Sequence, residues 1–234
     1  MFAILETIAK LLLSPLLTAQ ALKVRKTARI LPEPRGHRAG RYGAGPVLKL
    51  LIAGDSSAAG VGAQHQTEAL SGQLAHALGG SYTVDWKLIA RTGNTTRTTL
   101  PLLKSQTPEP FDVALVVLGV NDITSQIRLQ KLLQLRTELY RHLREDWGAR
   151  RVIVAGIPPL GHFPLLPQPL RWVLGLQARR YDRALERHAR DHGADYMPFD
   201  LPMTAEMWAE DGFHPAPNTY YVMGQRVAHQ ILHR

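Results

Sequence analysis

From residue 47 onward, short apolar runs alternate with segments that have the spacing of amphipathic helices. Two of the runs are almost continuously apolar, which is typical of parallel strands that helices cover on both faces. The alternation predicts an α/β domain in which a parallel sheet has helices on both sides. The predicted strands are residues 47–53, 84–90, 113–118, 152–155 and 196–199, and the predicted helices are residues 66–78, 97–105, 126–147, 171–192 and 217–232.

The composition sets the size of the fold and removes several kinds of chemistry. The chain has 234 residues, of which 45% are hydrophobic and 20% are charged, so it is long enough for one α/β domain of about 200 residues with a short extension. It contains no cysteine, which excludes a cysteine nucleophile, a disulfide framework, an iron–sulfur cluster and a thiolate zinc site. No nucleotide-binding or metal-ligand motif is present, so no cofactor and no metal are expected.

The positive charge belongs to one segment and not to the predicted domain. The formal net charge is +9, and residues 23–41 supply six of those charges, because they hold seven Lys and Arg residues against one Glu. Residues 42–234 have a net charge of only +3, an ordinary value for a globular domain. A nucleic-acid partner is therefore not expected.

Residues 1–46 form an extension before the predicted domain, which spans residues 47–234. Residues 2–22 are apolar, but two charges and a proline interrupt them, so a conventional membrane-spanning helix is not predicted. Their polar residues share about a third of the helical wheel. This pattern favours a helix that lies in a membrane interface, with the basic run behind it facing anionic headgroups. Residues 31–46 are rich in Pro and Gly and are predicted to be a linker.

Two other roles of the extension stay open. Residues 19–21 resemble a signal-peptidase site, so an export signal, cleaved or uncleaved, is one alternative, although the segment lacks a positively charged start. A helix docked on its own domain is the other. Positive residues directly after an apolar segment tend to hold that end in the cytoplasm. We therefore expect a cytoplasmic protein with peripheral membrane contact through residues 1–41, and export to the periplasm is the alternative.

Residues suited to acyl transfer follow three of the predicted strands. Ser56 follows the first strand, Gly93 the second and Asn121 the third. Because ligands bind beyond the carboxyl ends of parallel strands, these residues are expected to share one site. A serine hydroxyl is a nucleophile when a base is near, and backbone N–H groups and an asparagine amide are neutral donors to an oxyanion. Ser57 is the alternative nucleophile, and Asp55 is expected to fix the turn.

An Asp-x-x-His sequence near the C-terminus supplies the missing base. A histidine that acts as a general base needs a carboxylate on its Nδ1 side, and a spacing of three residues lets one turn provide both groups. Of the ten histidines, only His214 has an acidic residue three positions earlier, which is Asp211. With Ser56, this pair predicts a catalytic Ser-His-Asp relay.

The same four segments resemble the sequence blocks of the SGNH-hydrolase (GDSL esterase/lipase) superfamily. The blocks occur here at residues 54–56, Gly93, 119–122 and 211–214, and the glycine is aligned by position alone. The resemblance covers roughly residues 47–232 and implies a flavodoxin-like three-layer α/β/α sandwich with a five-stranded parallel sheet. It also implies that Ser56 is the nucleophile, and that the oxyanion hole consists of the Ser56 and Gly93 amides and the Asn121 side chain.

The expected function is hydrolysis of a carboxylic ester or thioester through an acyl-serine intermediate, on a small-molecule or lipid-derived substrate. The alternatives are carbohydrate O-deacetylation, acyl transfer, and a noncatalytic binding module of the same fold. The loop after the fourth strand is long, apolar and rich in proline, which is typical of a pocket wall or lid, although its apolar residues would equally pack on the sheet. The candidate pocket residues in this loop are His162, Phe163, Leu165, Leu166 and Trp172.

Overall fold

The computed structural model describes the backbone of residues 2–233 and the side chains of residues 8–233. The longer helices are α1 (Phe2–Thr27), α3 (Leu70–Leu78), α4 (Thr96–Lys104), α6 (Leu129–Glu145), α7 (Leu170–Asp191) and α8 (Pro217–Leu232), and two short ones are α2 (Ser56–Ala59) and α5 (Val120–Thr124). The strands are β1 (Ala39–Tyr42), β2 (Val47–Gly54), β3 (Thr83–Ala90), β4 (Val113–Val117), β5 (Arg151–Ala155) and β6 (Asp195–Met197).

These strands form one sheet in the order β1-β3-β2-β4-β5-β6. The five strands from β2 to β6 run parallel, whereas β1 pairs antiparallel with β3 at the edge. The order of the parallel strands is that of flavodoxin, in which the connections leave the first strand in opposite directions. The loops after β2 and β4 therefore diverge and open a crevice at the carboxyl edge of the sheet.

The side chains of the strands alternate between two hydrophobic layers. In β2, Leu51 and Ala53 face a core shared with α4, α6 and α7, whereas Leu50 and Ile52 face a core shared with α3 and α8. All five residues of β4 are buried. A strand covered on both faces reads as a continuous apolar run, which is why this strand was clear in the sequence.

The predicted five-stranded parallel sheet is confirmed, with strand ends that differ by one or two residues. The helix predicted at 66–78 begins later, at Leu70, because Gln66 is used in a buried turn in which its side chain donates to the Ala59 carbonyl. Residues 39–42 of the predicted linker form β1 instead. Three of its four residues are exposed, and its pairing with β3 uses main-chain hydrogen bonds, so the strand has no apolar pattern to reveal it.

Helix α1 lies against α7 with one face only. Ala9 and Leu17 are buried in the core, and the Lys10 ammonium donates to the side-chain oxygens of Gln126 and Gln177 at 3.0 and 2.9 Å. The docked arrangement left open by the sequence is therefore observed for this face. The opposite face exposes apolar side chains, which include Ile8, Leu11, Leu12, Leu16 and Leu22. No helix among the described residues is long and apolar enough to cross a membrane.

Candidate active site

Ser56 lies in the turn between β2 and α2, where two strands approach closely. A Cβ atom at Gly54 would collide with the carbonyl oxygen of Val117 on β4, so only glycine fits at this position. The carboxylate of Asp55 then caps α2 by accepting the Ser57 N–H at 2.9 Å. The turn places Ser56 at the start of a helix, beyond the carboxyl edge of the sheet.

The structure brings Ser56, His214 and Asp211 into one hydrogen-bonded chain. The Nε2 atom of His214 lies 2.9 Å from the Ser56 Oγ atom, and its Nδ1 atom lies 2.5 Å from Oδ2 of Asp211. The other carboxylate oxygen of Asp211 accepts the N–H groups of Phe213 and His214 at 2.9 and 3.0 Å. One turn thus fixes both the carboxylate and the ring that it orients.

The environment of Asp211 keeps its carboxylate ionised. Burial alone would raise the pKa of Asp211, but hydrogen bonds from the His214 side chain and from the N–H groups of His214 and Phe213, together with the His214 charge, hold it below its ordinary value. An ionised acceptor on Nδ1 leaves Nε2 of His214 free to accept the serine proton, and it stabilises the imidazolium that forms.

Gly93 and Asn121 are held beside the serine turn through Asn94. The Arg91 N–H and the Asn94 side-chain amide both donate to the carbonyl of Gly54 at 3.2 Å, and the Asn121 side-chain amide donates to the carbonyl of Asn94 at 3.0 Å. Gly93 has a φ of +82°, a conformation that favours glycine. The residues expected to donate to an oxyanion therefore occupy neighbouring loops on one side of Ser56.

A buried polar network supports the short helix that carries Asn121. The carboxylate of Asp122 accepts the N–H and the hydroxyl of Thr96 at 2.9 and 2.7 Å, and the guanidinium of Arg136 lies 3.7 Å from it. Arg136 also donates to the carbonyl of Leu118 at 2.8 Å. Sequence reasoning missed these supports. Asp122 stands next to Asn121 in the Gly-Val-Asn-Asp block and could have been noticed, whereas Arg136 looks like a surface residue of an amphipathic helix.

An apolar pocket opens beside Ser56, and the loop between β6 and Asp211 forms one of its walls. Its apolar lining includes Phe163, Phe199, Leu201, Met203, Met207, Trp208 and Phe213. The cavity has a volume of about 50 Å³, which is room for a few water molecules. The ring of Phe163 packs edge-on against Trp208 and Phe213, at centroid distances of 4.6 and 5.2 Å.

Of the five candidate pocket residues, only Phe163 lines this cavity, whereas His162, Leu165, Leu166 and Trp172 do not. His162 is exposed, Trp172 is 39% exposed on the first turn of α7, and Leu166 is buried in the core on the α7 side of the sheet. Leu165 is half-buried and bonds through its N–H to the Gly212 carbonyl. The loop after β5 contributes Gly156, Pro158 and Phe163 to the lining, and residues 199–208 contribute five further lining residues.

The chain is thus a three-layer α/β protein whose sheet carries a Ser-His-Asp relay at its carboxyl edge. The family model for the GDSL-like lipase/acylhydrolase family matches residues 52–222. The chain belongs to this family, and the resemblance noted in the sequence is confirmed. In the described part of the chain, no group of three or more His, Asp and Glu side chains is arranged to hold a metal ion.

Relatives and solved structures agree with this assignment. A GDSL-like esterase of Mycobacterium tuberculosis, Rv1075c, is 26% identical over 210 residues, which are 80% of this chain and 66% of that protein; the chain therefore spans just under two thirds of this relative. The psychrotrophic esterase EstA from Pseudoalteromonas sp. has a TM-score of 0.60 and 19% identity, over 79% of this chain and 96% of that one. Est24 from Sinorhizobium meliloti, a carbohydrate acetylesterase, has a TM-score of 0.60 and 20% identity, over 79% and 98%.

Asp55 generates a prediction about stability and pH. Burial raises the pKa of Asp55 to about 7, against the opposing hydrogen bond from Ser57. Between about pH 4 and about pH 7 the folded state therefore binds more protons than the unfolded state, so stability falls as the pH rises. Asp55→Asn keeps an oxygen that caps α2 but removes the group whose ionisation lowers the stability as the pH rises. The melting temperature of Asp55→Asn minus that of the native protein should therefore be larger at about pH 8 than at about pH 5.

The exposed Asp200 provides the control for this measurement, because its side chain is 87% exposed. Asp200→Asn should leave the melting temperature unchanged relative to the native protein at both pH values. An Asp55→Asn difference that stays constant with pH would show that the buried carboxyl does not titrate in this window.

Proposed function

We propose that the protein is a serine hydrolase that cleaves carboxylic esters or thioesters, with Ser56 as nucleophile, His214 as general base and Asp211 as its orienting carboxylate. The observation that carries the proposal is the continuous chain from Ser56 Oγ through the His214 ring to Asp211, with distances of 2.9 and 2.5 Å. Membership of the GDSL-like family and the esterase names of its relatives support the same reaction.

In the first half of the reaction, Nε2 of His214 takes the proton of Ser56 while Oγ forms a bond to the substrate carbonyl carbon. The carbonyl electron pair moves onto its oxygen, which the Ser56 and Gly93 N–H groups and the Asn121 amide stabilise as an oxyanion. When the intermediate collapses, the bond to the alcohol or thiol breaks and His214 gives its proton to that leaving group.

In the second half, a water molecule attacks the acyl-serine carbonyl and His214 takes its proton. The new tetrahedral intermediate uses the same three donors, and its collapse returns the proton to Ser56 Oγ and releases the carboxylic acid. Removing one donor of this kind costs a factor of about 10² to 10³ in kcat in a well-studied serine protease.

The nucleophile is tested by covalent labelling and turnover together. A fluorophosphonate probe should label the native protein but not Ser56→Ala, which should also lose hydrolysis of p-nitrophenyl esters. Asp211→Asn should still be labelled at Ser56, but its kcat should be lower by a factor of about 10⁴, because the imidazole then adopts the wrong tautomer. Labelling is measured by gel fluorescence, and turnover by initial rates.

Ser57→Ala distinguishes the two adjacent serines and should be labelled like the native protein. Undiminished turnover in Ser56→Ala would refute the assignment of the nucleophile. A native protein that neither reacts with the probe nor turns over any ester would instead support the alternative, a noncatalytic binding module with the family's fold.

The pocket supports an acyl group as the part of the substrate that enters beside Ser56. Its lining is apolar, and Met203, Met207 and Phe199 would contact an alkyl chain better than a polyhydroxylated ring. A volume of about 50 Å³ accommodates only a few methylene groups, so the pocket fits the first carbons of a chain. The ester's alcohol part then lies outside the pocket, which leaves room for a lipid-derived substrate.

The same small volume favours a second candidate, removal of acetyl groups from carbohydrate. An acetyl group would fit the pocket, and Est24, a solved structure with the same fold, is a carbohydrate acetylesterase. Turnover of acetylated sugars alongside p-nitrophenyl esters separates the two candidates. Transfer of the acyl group to an added alcohol, measured as the ester product, identifies an acyltransferase.

The acyl pocket predicts a dependence on chain length. In a series of p-nitrophenyl esters, kcat/KM should be highest for chains of roughly two to six carbons, because longer chains exceed the cavity. Met207→Ala widens the wall and should shift the optimum to longer chains. Met197→Ala is a matched control, since Met197 is buried in β6 and does not line the cavity. Equal rates at every length, or the same shift in both variants, would contradict the acyl pocket.

The exposed face of α1 supports a further proposal, peripheral attachment to an anionic membrane on the cytoplasmic side. Leu11 and Leu12 are 73% and 77% exposed, and Lys23 and Lys26 are exposed on the same side of the helix, about three to four turns further on. Each basic residue near an anionic surface contributes about 1 kcal/mol to binding. Apolar burial and charge attraction would therefore act together. Export of the protein is the alternative, and fractionation of cells distinguishes the two locations.

Vesicle binding tests this attachment. The double variant Leu11→Ser with Leu12→Ser should bind vesicles of phosphatidylcholine and phosphatidylglycerol at least about tenfold more weakly, because it removes exposed apolar area. Tyr221→Ser, on α8, removes another exposed apolar side chain and should leave binding unchanged. Absence of binding by the native protein, or equal binding by the double variant, would exclude this face as the contact.

A further inference from the structure

The segment that joins α1 to β1 contacts loops that carry residues of the candidate active site. It lies outside the part of the chain that the family model matches. Arg29 pairs with Glu210 at 2.7 Å, next to Asp211, and the main chain of Arg35 exchanges hydrogen bonds with the loop behind α2. Between these two points, Glu33 reaches the loop that carries Gly93. The segment therefore contacts two of the loops that build the site, and also the loop behind α2.

Glu33 makes the most specific of these contacts. One oxygen of its carboxylate accepts both the N–H and the hydroxyl of Thr92, at 2.8 and 2.7 Å. The other oxygen accepts from Arg38 at 2.6 Å, and Arg38 also donates to the carbonyl of Ala90 at the end of β3. A proline on each side of Glu33 restricts its backbone. The carboxylate thus connects a stiff segment to the loop after β3 directly, and to the end of β3 through Arg38.

The charge of Glu33 strengthens these hydrogen bonds. Burial by itself would raise the pKa of Glu33, but the two hydrogen bonds from Thr92 and the ion pair with Arg38 outweigh it and lower the pKa below its ordinary value. The carboxylate is therefore ionised at neutral pH, and a charged acceptor forms stronger hydrogen bonds than a neutral one.

The position of the Gly93 N–H depends on its two neighbours in the chain. Gly93 has no side chain, and apart from its chain neighbours no atom lies within 4 Å of the place where a Cβ would be, so side-chain packing does not hold it. Asn94 is tied on one side to Gly54 and Asn121. On the other side, Thr92 is hydrogen-bonded to Glu33. An oxyanion donor is effective only within a few tenths of an ångström of its productive place.

We propose that Glu33 is a positioning residue for the oxyanion hole, which holds the Thr92–Gly93 peptide so that the Gly93 N–H points at the developing oxyanion. The inference rests on the proposed hydrolase function. It assigns to a residue of the N-terminal extension a part in transition-state stabilisation, although Glu33 touches neither the substrate nor the reacting atoms.

The test compares the chemical step with substrate binding. Glu33→Ala should lower kcat for a p-nitrophenyl ester by about 10- to 100-fold and slow fluorophosphonate labelling by a similar factor, with KM changed by less than about threefold. Glu33→Gln keeps an oxygen that accepts from Thr92 and should recover most of the lost rate. Glu68→Ala is the control, because Glu68 is a half-buried carboxylate of the neighbouring loop that accepts a long hydrogen bond, 3.4 Å, from the Gln64 N–H.

Thr92→Val provides a second variant in case Glu33→Ala does not fold. It removes the hydroxyl contact alone and should lower kcat by about 3- to 10-fold without a change in melting temperature.

Three results would overturn the proposal: a kcat within twofold of the native value in the folded variants, a rise in KM at constant kcat, or an equal loss of kcat in Glu68→Ala. A native protein without labelling or turnover would remove the hydrolase function and this role with it, so the two failures are distinguishable.

Discussion

The close approach of β2 and β4 is the constraint on which the site depends. Gly54 pairs with Val117 across these strands, and the next N–H, that of Asp55, bonds to the same Val117 carbonyl. Any side chain at Gly54 would push the strands apart. The loops that carry Ser56 and Asn121 therefore begin only one strand spacing apart, about 4.8 Å. They diverge from this point and open a crevice, and the remaining loops bring their functional groups to it.

The sequence predicted those parts of the site that depend on sheet topology. Parallel strands place their carboxyl ends along one edge, so Ser56, Gly93 and Asn121 had to approach each other once the strands were identified. The Asp211–His214 pair was predictable for a different reason, since a spacing of three residues lies within one turn. In both cases a local pattern in the sequence determines the geometry, and the rest of the fold only has to bring the segments together.

The features that escaped prediction depend on contacts between distant segments. Arg136 has the spacing of an ordinary helix residue, yet it is fully buried beside Asp122. Glu33 lies in a stretch that reads as a linker. Residues 199–208 supply more of the pocket wall than the proline-rich loop does. Both loops are apolar, and only tertiary packing decides how much of each faces Ser56. Periodicity gives the buried face of an element but not the partner that covers it.

The two faces of α1 are independent, so the proposed membrane contact is compatible with the docking of the helix on the domain. At about 100° per residue, Leu17 and Leu12 point about 140° apart, and the structure buries the first and exposes the second. The proposed contact of Leu11 and Leu12 with a lipid surface would therefore leave in place the hydrogen bonds of Lys10 to Gln126 and Gln177. Membrane attachment would thus not require α1 to separate from the domain, and the segment behind it, with Glu33, would keep its contact with the Gly93 loop.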